Sequence, residues 1–271
     1  MIRVELVKLF RRPRTWLAII LLNALPTLVA VLVSVTGVSV RPGRGPAFLA
    51  AVLANGSLFA IAALAIVLPL FLPVAVSVVA GDSVAGEAQA GTLRYLLIRP
   101  VGRTRLLVAK LVATFVFVLV SVVSVAGVGF LVGRTLLGQQ PLSQAIVSIS
   151  GTTLTPAQMA WRLVLAIGYI AFSMLGVAAM AVLLSTLSDS PLAASLGALA
   201  FLIGSSLLLT IDAADDLQPY LPTRYWLSFV DLFRDPVLWS DVQRGVALQA
   251  GYVVVLLAAA WANFMTKDIT S

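Results

Sequence analysis

The side chains best able to do chemistry in this 271-residue chain are few. Asp212, Asp215 and Asp216 form a tight acidic cluster. Membrane prenyl- and phosphatidyl-transferases use such clusters to hold magnesium against a diphosphate. Those enzymes need a second acidic set, usually on the cytoplasmic side, and this cluster stands alone, so a solvated loop is the better reading. The sequence has no His and no Cys, which excludes imidazole bases, thiolate nucleophiles, disulfides and the common zinc sites. Its three lysines follow Val7, Ala109 and Thr266. A phosphate-binding loop requires Gly-Lys-Ser/Thr, so the chain cannot hydrolyse ATP by that chemistry. The sequence offers no catalytic constellation and no metal set, and an enzyme is not expected.

The most polar, Gly-punctuated stretch is GDSVAGEAQAGTLRYLLIRPVGRTRLLVAKL, residues 81–111, with Asp82 and Glu87 against Arg94, Arg99, Arg103, Arg105 and Lys110. Gly81-Asp82-Ser83 supplies turn and cap residues after Ala80, and Gly91-Thr92 a second break and cap. From Thr92, Leu93, Leu96 and Leu97 share a helical face with Arg94 off it, Pro100 stops that helix, and Thr104 is placed to cap the next apolar helix. The expectation is a short helical knob tethered to two long apolar helices, with Glu87 as its polar handle.

Those flanking elements belong in a bilayer. The chain is 61% hydrophobic and 11% charged, against about 45–50% and about 25% in soluble domains. Crossing roughly 30 Å of hydrocarbon takes about 20 apolar residues, and six runs qualify: 16–40, 57–80, 106–133, 157–185, 191–211 and 246–265. Pro69 and Pro73 predict a kink in the second. Thr155-Pro156-Ala157-Gln158 predicts a capped start for the fourth and Ser190-Pro191 for the fifth, leaving 185–190 as a tight connection. The apolar run from Trp16 is long for a signal sequence and no small-residue cleavage site comes after it, so the first span is read as retained. Asn23, alone within that span, suits an interhelical hydrogen bond.

Lys and Arg placement predicts orientation. Arg3, Lys8, Arg11, Arg12, Arg14, Arg94, Arg99, Arg103, Arg105, Lys110 and Lys267 fall on one side. Arg41, Arg44, Arg134, Arg162, Arg224, Arg234 and Arg244 fall on the other. Both termini and the 81–105 loop are therefore expected in the cytoplasm. The net charge of +7 is spread between spans, which suits anionic lipid headgroups rather than nucleic acid. Arg far outnumbers Lys, a mark of GC-rich coding and hence of a bacterial inner membrane. Residues 1–14 are amphipathic, Ile2, Leu6, Leu9 and Phe10 opposing Glu5, Lys8, Arg11 and Arg12, which predicts a helix lying in the interface with its cations toward headgroups.

The stretch AGEAQAGTLRYLLIRPVGRTRLLVAKL resembles the first cytoplasmic loop of ABC-2-type ABC transporter permeases, on Gly86, Glu87, Gly91, Thr92, Leu93, Leu96, Leu97, Pro100, Val101, Arg103 and Lys110. Residues 1–14 resemble that family's elbow helix, and its six-span layout covers the chain. The nearest branch is that of the small NosY-like permeases, which usually have Ser where Gly102 stands. The resemblance implies an all-α integral membrane protein of six transmembrane helices with an amphipathic elbow and a cytoplasmic coupling helix. It implies that the coupling helix docks on a separate ATPase subunit, present in two copies, which supplies ATP and magnesium. Ser188 and Asp189 in the short 185–190 loop would make a second contact. A second permease copy or paralogue is implied as well, and export of lipids, glycans, drugs or peptides.

Ala193, Gly197, Ala200 and Gly204 are small residues at helical spacing in the fifth span, and Gly129 and Gly133 in the third. They serve either packing within the chain or a dimer seam. Residues 212–244 form the largest outer segment. There Trp226, Phe229, Val230 and Phe233 recur at i, i+3, i+4, i+7, which predicts an interfacial or re-entrant helix, either capping an exit path or anchoring at the membrane surface. Three functions compete: the permease subunit of an ATP-driven transporter, a scaffold or assembly factor whose 81–111 knob binds another cytoplasmic protein, and a membrane enzyme. The near absence of ionisable residues in the spans counts against the enzyme and against an ion-coupled carrier.

Overall fold

The computed structural model describes residues 1–36, 56–91, 102–137, 146–147 and 152–266. It is an all-α protein with six helices long and apolar enough to cross a membrane, and the chain is a multi-pass membrane protein. A short helix α1 (Ile2–Arg11) turns at extended Arg12 into α2 (Pro13–Thr36). Then come α3 (Phe59–Val67), α4 (Phe71–Gln89), α5 (Arg103–Leu136), α6 (Pro156–Leu187), α7 (Pro191–Leu208) and α8 (Trp239–Thr266). The six spans are α2, α4, α5, α6, α7 and α8. Ile146–Val147 and Thr153–Leu154 form a two-residue antiparallel pair before α6.

The second apolar run is broken where its prolines require. Pro69 lies between α3 and α4, in a break that spans Leu68 to Leu70, and has no N–H to continue the ladder. Pro73 stands in the first turn of α4, where a missing N–H costs nothing. The span expected over 57–80 is thus two helices. The first is buried along nearly its whole length because α5 comes so close to it. A Cβ on Gly129 would stand 2.8 Å from the Ala63 methyl, and one on Gly133 would overlap the Gly56 carbonyl and the Phe59 side chain. The Gly129/Gly133 pair therefore packs α5 on α3 within one chain.

The capping expectations hold at α6 and α7. Thr155 Oγ1 accepts from Gln158 N at 3.2 Å while Gln158 Oε1 accepts from Thr155 N at 2.9 Å. Ser190 Oγ accepts from Ala193 N at 3.3 Å, with Pro191 opening the helix. The fourth span runs Pro156–Leu187, so the turn to α7 shrinks to 188–190.

Other boundaries move. The first span begins at Pro13 rather than residue 16, and the third fills Arg103–Leu136 rather than 106–133. The fifth ends at Leu208 instead of 211. The last begins at Trp239 rather than 246: Asp241 favours the helix N-terminus, so a polar first turn precedes the apolar part. The largest correction concerns the 81–105 loop, because Gly81-Asp82-Ser83 lies inside α4, which continues to Gln89.

α4 packs between α6 and α7, α8 lies along α6, and α2 and α3 pack on α5, which also meets α6. With the spans alternating in direction, α1, the end of α4, the start of α5, the end of α6, the start of α7 and the end of α8 gather at one end of the bundle.

Candidate functional site: the braced end of the bundle

Glu87 sits in the last turn of α4 with its side chain 4% exposed, and Lys110, in the second turn of α5, is 2% exposed. Lys110 Nζ lies 2.8 Å from Glu87 Oε1 and 3.6 Å from Glu5 Oε2, and Lys8 Nζ donates to the same Glu87 oxygen. One turn earlier on α4, Asp82 pairs with Arg12 and stands 3.9 Å from Arg14. The chain thus ties the α1–α2 elbow to both α4 and α5 through two acid-centred clusters. Buried carboxylates and amines are tolerable only when paired in this way.

This geometry corrects two expectations. Glu87 is no exposed handle on a loop; it is a strut between helices. The polar arc of α1 does not face headgroups either, for Glu5, Lys8 and Arg12 turn toward the bundle, while Val4 and Val7 are exposed beside Arg3 and Arg11.

Further staples join the remaining helices at this end. Ser185 of α6 enters the hydrogen-bond ladder of α4: its Oγ donates to Gly81 O at 2.6 Å and accepts from Ala85 N at 2.8 Å and Val84 N at 3.1 Å. Arg103 Nη1 donates to the Met265 and Phe264 carbonyls at 2.8 and 3.1 Å, filling acceptors that the end of α8 leaves open. Trp261 Nε1 donates to Thr104 Oγ1 at 2.9 Å and Asn263 Nδ2 to Thr186 Oγ1 at 3.1 Å. Thr104 therefore does not cap α5; Gly102 occupies the cap position without a side-chain bond.

Of the residues expected to couple to a partner, Gly86, Glu87, Gly91 and Arg103 fall in the described structure. Gly91 ends α4 with φ +66, a left-handed conformation that favours glycine. Thr92, Leu93, Arg94, Leu96, Leu97 and Pro100 lie outside the described residues. Ser188 closes the α6–α7 turn by accepting from Ser190 N at 3.1 Å, and Asp189 is exposed at its tip. Ser185, Thr186, Trp261 and Asn263 were missed by sequence reasoning, since Ser, Thr and Asn in apolar helices carry no signal of their partners.

The small residues of α7 split. Ala193 and Ala200 are exposed, Gly204 has open space where a side chain would stand, and Gly197 faces Leu184 of α6. Asn23 makes the expected interhelical bond, its Nδ2 donating to Ser124 Oγ of α5 at 3.0 Å.

At the opposite end, residues 212–238 fold into short 3-10 turns. Trp226–Phe233 is a 3-10 helix whose Trp226, Phe229, Leu232 and Phe233 are buried against α6 and α8. This corrects the α-helical register, which had Val230 in place of Leu232. Tyr169 OH donates to Tyr225 O at 2.5 Å, Gln249 Nε2 to Pro222 O at 2.6 Å, and Ser205 and Thr223 share a bond of 2.7 Å. Asp212, Asp215 and Asp216 are exposed, Asp215 accepting from Gln218 Nε2 at 2.7 Å. Among the described residues no three acidic side chains converge as metal ligands.

Residues 27–270 match the model of a family described as protein of unknown function (DUF2705). No curated protein matches the chain.

Proposed function

The chain belongs to the DUF2705 family, and on the resemblance of its 86–110 stretch we propose that it is the permease subunit of an ATP-driven transporter of the ABC-2 type, seated in a bacterial inner membrane with both termini cytoplasmic. The observation that carries the reading is the buried Glu87–Lys110 pair. It closes the base of the very segment whose sequence resembles a coupling helix. Glu87 near the end of α4 and Lys110 near the start of α5 flank residues 92–101 in sequence, so in this reading force on that segment reaches both helices together. Lys8 and Glu5 pass the same displacement to the elbow, and Ser185 passes it to α6.

In this mechanism, ATP binding draws two partner ATPases together. Their motion presses Thr92, Leu93, Arg94, Leu96, Leu97 and Pro100, with Ser188 and Asp189 as a second contact. The braced end then moves as a unit and reshapes a pathway between two permease copies, with Ala193, Ala200 and Gly204 of α7 near their seam. The apolar spans suit export of a hydrophobic or amphipathic cargo. ATP and magnesium belong to the partner.

The test is affinity purification of the tagged chain in mild detergent, with mass spectrometry and an ATPase assay. A stoichiometric P-loop ATPase whose turnover falls with Glu87→Lys is the expected result. A chain recovered alone, or with a partner lacking a P-loop, overturns the reading in favour of a scaffold.

A further inference from the structure

Beside the braced end runs a cleft that the transport mechanism leaves unused. Between α2 and α4 lies an apolar slot of about 240 Å³, walled by Ala18, Leu22, Val74 and Ala75 and reaching Arg12, Arg14 and Asp82 at one end. A second cavity of about 530 Å³ shares Arg12, Arg14, Val78 and Asp82 with it and extends to Gln89 and to Ser190 at the start of α7. The shared residues place the two cavities side by side, the first mainly apolar and the second walled by polar and apolar groups alike.

We propose that this cleft binds an anionic glycerophospholipid as a resident ligand, its phosphate held by Arg14 and Arg12 and one acyl chain lying in the slot. Three observations carry the assignment. The slot opens sideways, since Leu21, Phe71 and Val78 on its rim are 59%, 42% and 46% exposed, and in a bilayer that rim faces hydrocarbon. Its length suits one leaflet: from Phe71 to Asp82 is about 16 Å of helix at ~1.5 Å per residue, near half of the roughly 30 Å core. The charge at its mouth is complementary. Asp82 is matched by Arg12, while Arg14 is 76% exposed and 3.9 Å from Asp82, which leaves one net positive charge where a phosphodiester would bring one negative. Basic pockets between membrane helices bind anionic headgroups in this manner.

The lipid would pack against α2, α4 and the start of α7, with Leu9 of α1 also at the border of the slot. The assignment needs no ATPase partner and stands or falls apart from the transport reading.

Native mass spectrometry of the full chain, released from nanodiscs of mixed phosphatidylglycerol and phosphatidylcholine, tests it. The expected result is one phosphatidylglycerol retained in preference to phosphatidylcholine. Arg14→Gln should weaken retention about fivefold, the equivalent of ~1 kcal/mol for one cation at a membrane surface. Val78→Trp, at an exposed position that lines both cavities, should abolish it, whereas Arg3→Gln at an exposed position of α1 should leave it unchanged. Retention of both lipids alike, retention undiminished by Val78→Trp, or displacement by millimolar glycerol phosphate would each overturn the proposal, the last by reducing the cleft to a site for soluble anions. Thermal midpoints of the variants within a few degrees of the parent keep the comparison free of folding effects.

Discussion

The two ends of the bundle are held by different forces. At one, four ionisable side chains from three helices meet, Glu87, Lys110 and Glu5 nearly buried and Lys8 at the edge with its side chain 38% exposed. At the other, Trp226, Phe229, Leu232 and Phe233 are buried against α6 and α8, with bonds to backbone carbonyls such as those of Tyr225 and Pro222 and a half-exposed Arg162–Asp235 pair at 3.5 Å around them. An aromatic cluster loses stability in proportion to the contacts removed. A buried ion network depends on its charge sum, and a single change leaves the remaining charges uncompensated. The charged end is therefore able to respond sharply to a push or a partner, and the aromatic end to hold its shape while that happens.

The sharpest way to break this contrast is Glu87→Lys, which sets a third amine against Lys8 and Lys110. It should cost at least the ~3–5 kcal/mol typical of breaking a buried pair, read as a large fall in the detergent-solubilised thermal midpoint. The double change Glu87→Met with Lys110→Met removes both charges, leaves Glu5 and Lys8 one turn apart on α1, and should recover most of that loss. If it melts as low as the single variant, the pair is not what braces this end. At the other end Phe229→Ala, at a fully buried ring, should cost about 3 kcal/mol. No second substitution nearby should rescue it unless it refills the volume.

How far the sequence announced these two ends depends on the range over which each interaction acts. The α6 cap was readable because Thr155, Pro156 and Gln158 interact within a single turn. The interruption at Pro69 was readable as a kink, though not as a full break into two helices, because proline acts on its own backbone. Gly91 likewise marks the end of α4 through its own φ. Gly81-Asp82-Ser83 misled for the opposite reason. These are turn and cap residues where the backbone lacks partners, but here Arg12 pairs with the Asp82 carboxylate and Ser185 bonds the Gly81 carbonyl, from 70 and 104 positions away. Nothing local distinguishes a lysine facing headgroups from one that reaches Glu87 across 79 residues. Over the eight residues 226–233, periods of 3.0 and 3.6 share Trp226 and Phe229 and separate only at Val230 and Leu232, so packing decided the register.

Smaller effects sharpen the comparison. Tyr169→Phe removes one hydroxyl at the aromatic end, where its donation to Tyr225 O crosses between segments, and should cost about 1 kcal/mol. Ser185→Ala removes one hydroxyl at the charged end and should cost less. Its Oγ stands in the α4 ladder between Gly81 O and Ala85 N, and without it these two groups are an i, i+4 pair free to bond each other. The overall thermal midpoint should then hardly move, while α4 loses its staple to α6. Hydrogen exchange separates the two effects: peptides covering 81–89 should exchange faster in Ser185→Ala than in the parent, with 71–80 unchanged. A midpoint shift as large as that of Phe229→Ala would mean that the ladder cannot reclose, and that Ser185 holds α4 in a bend that the rest of the bundle requires.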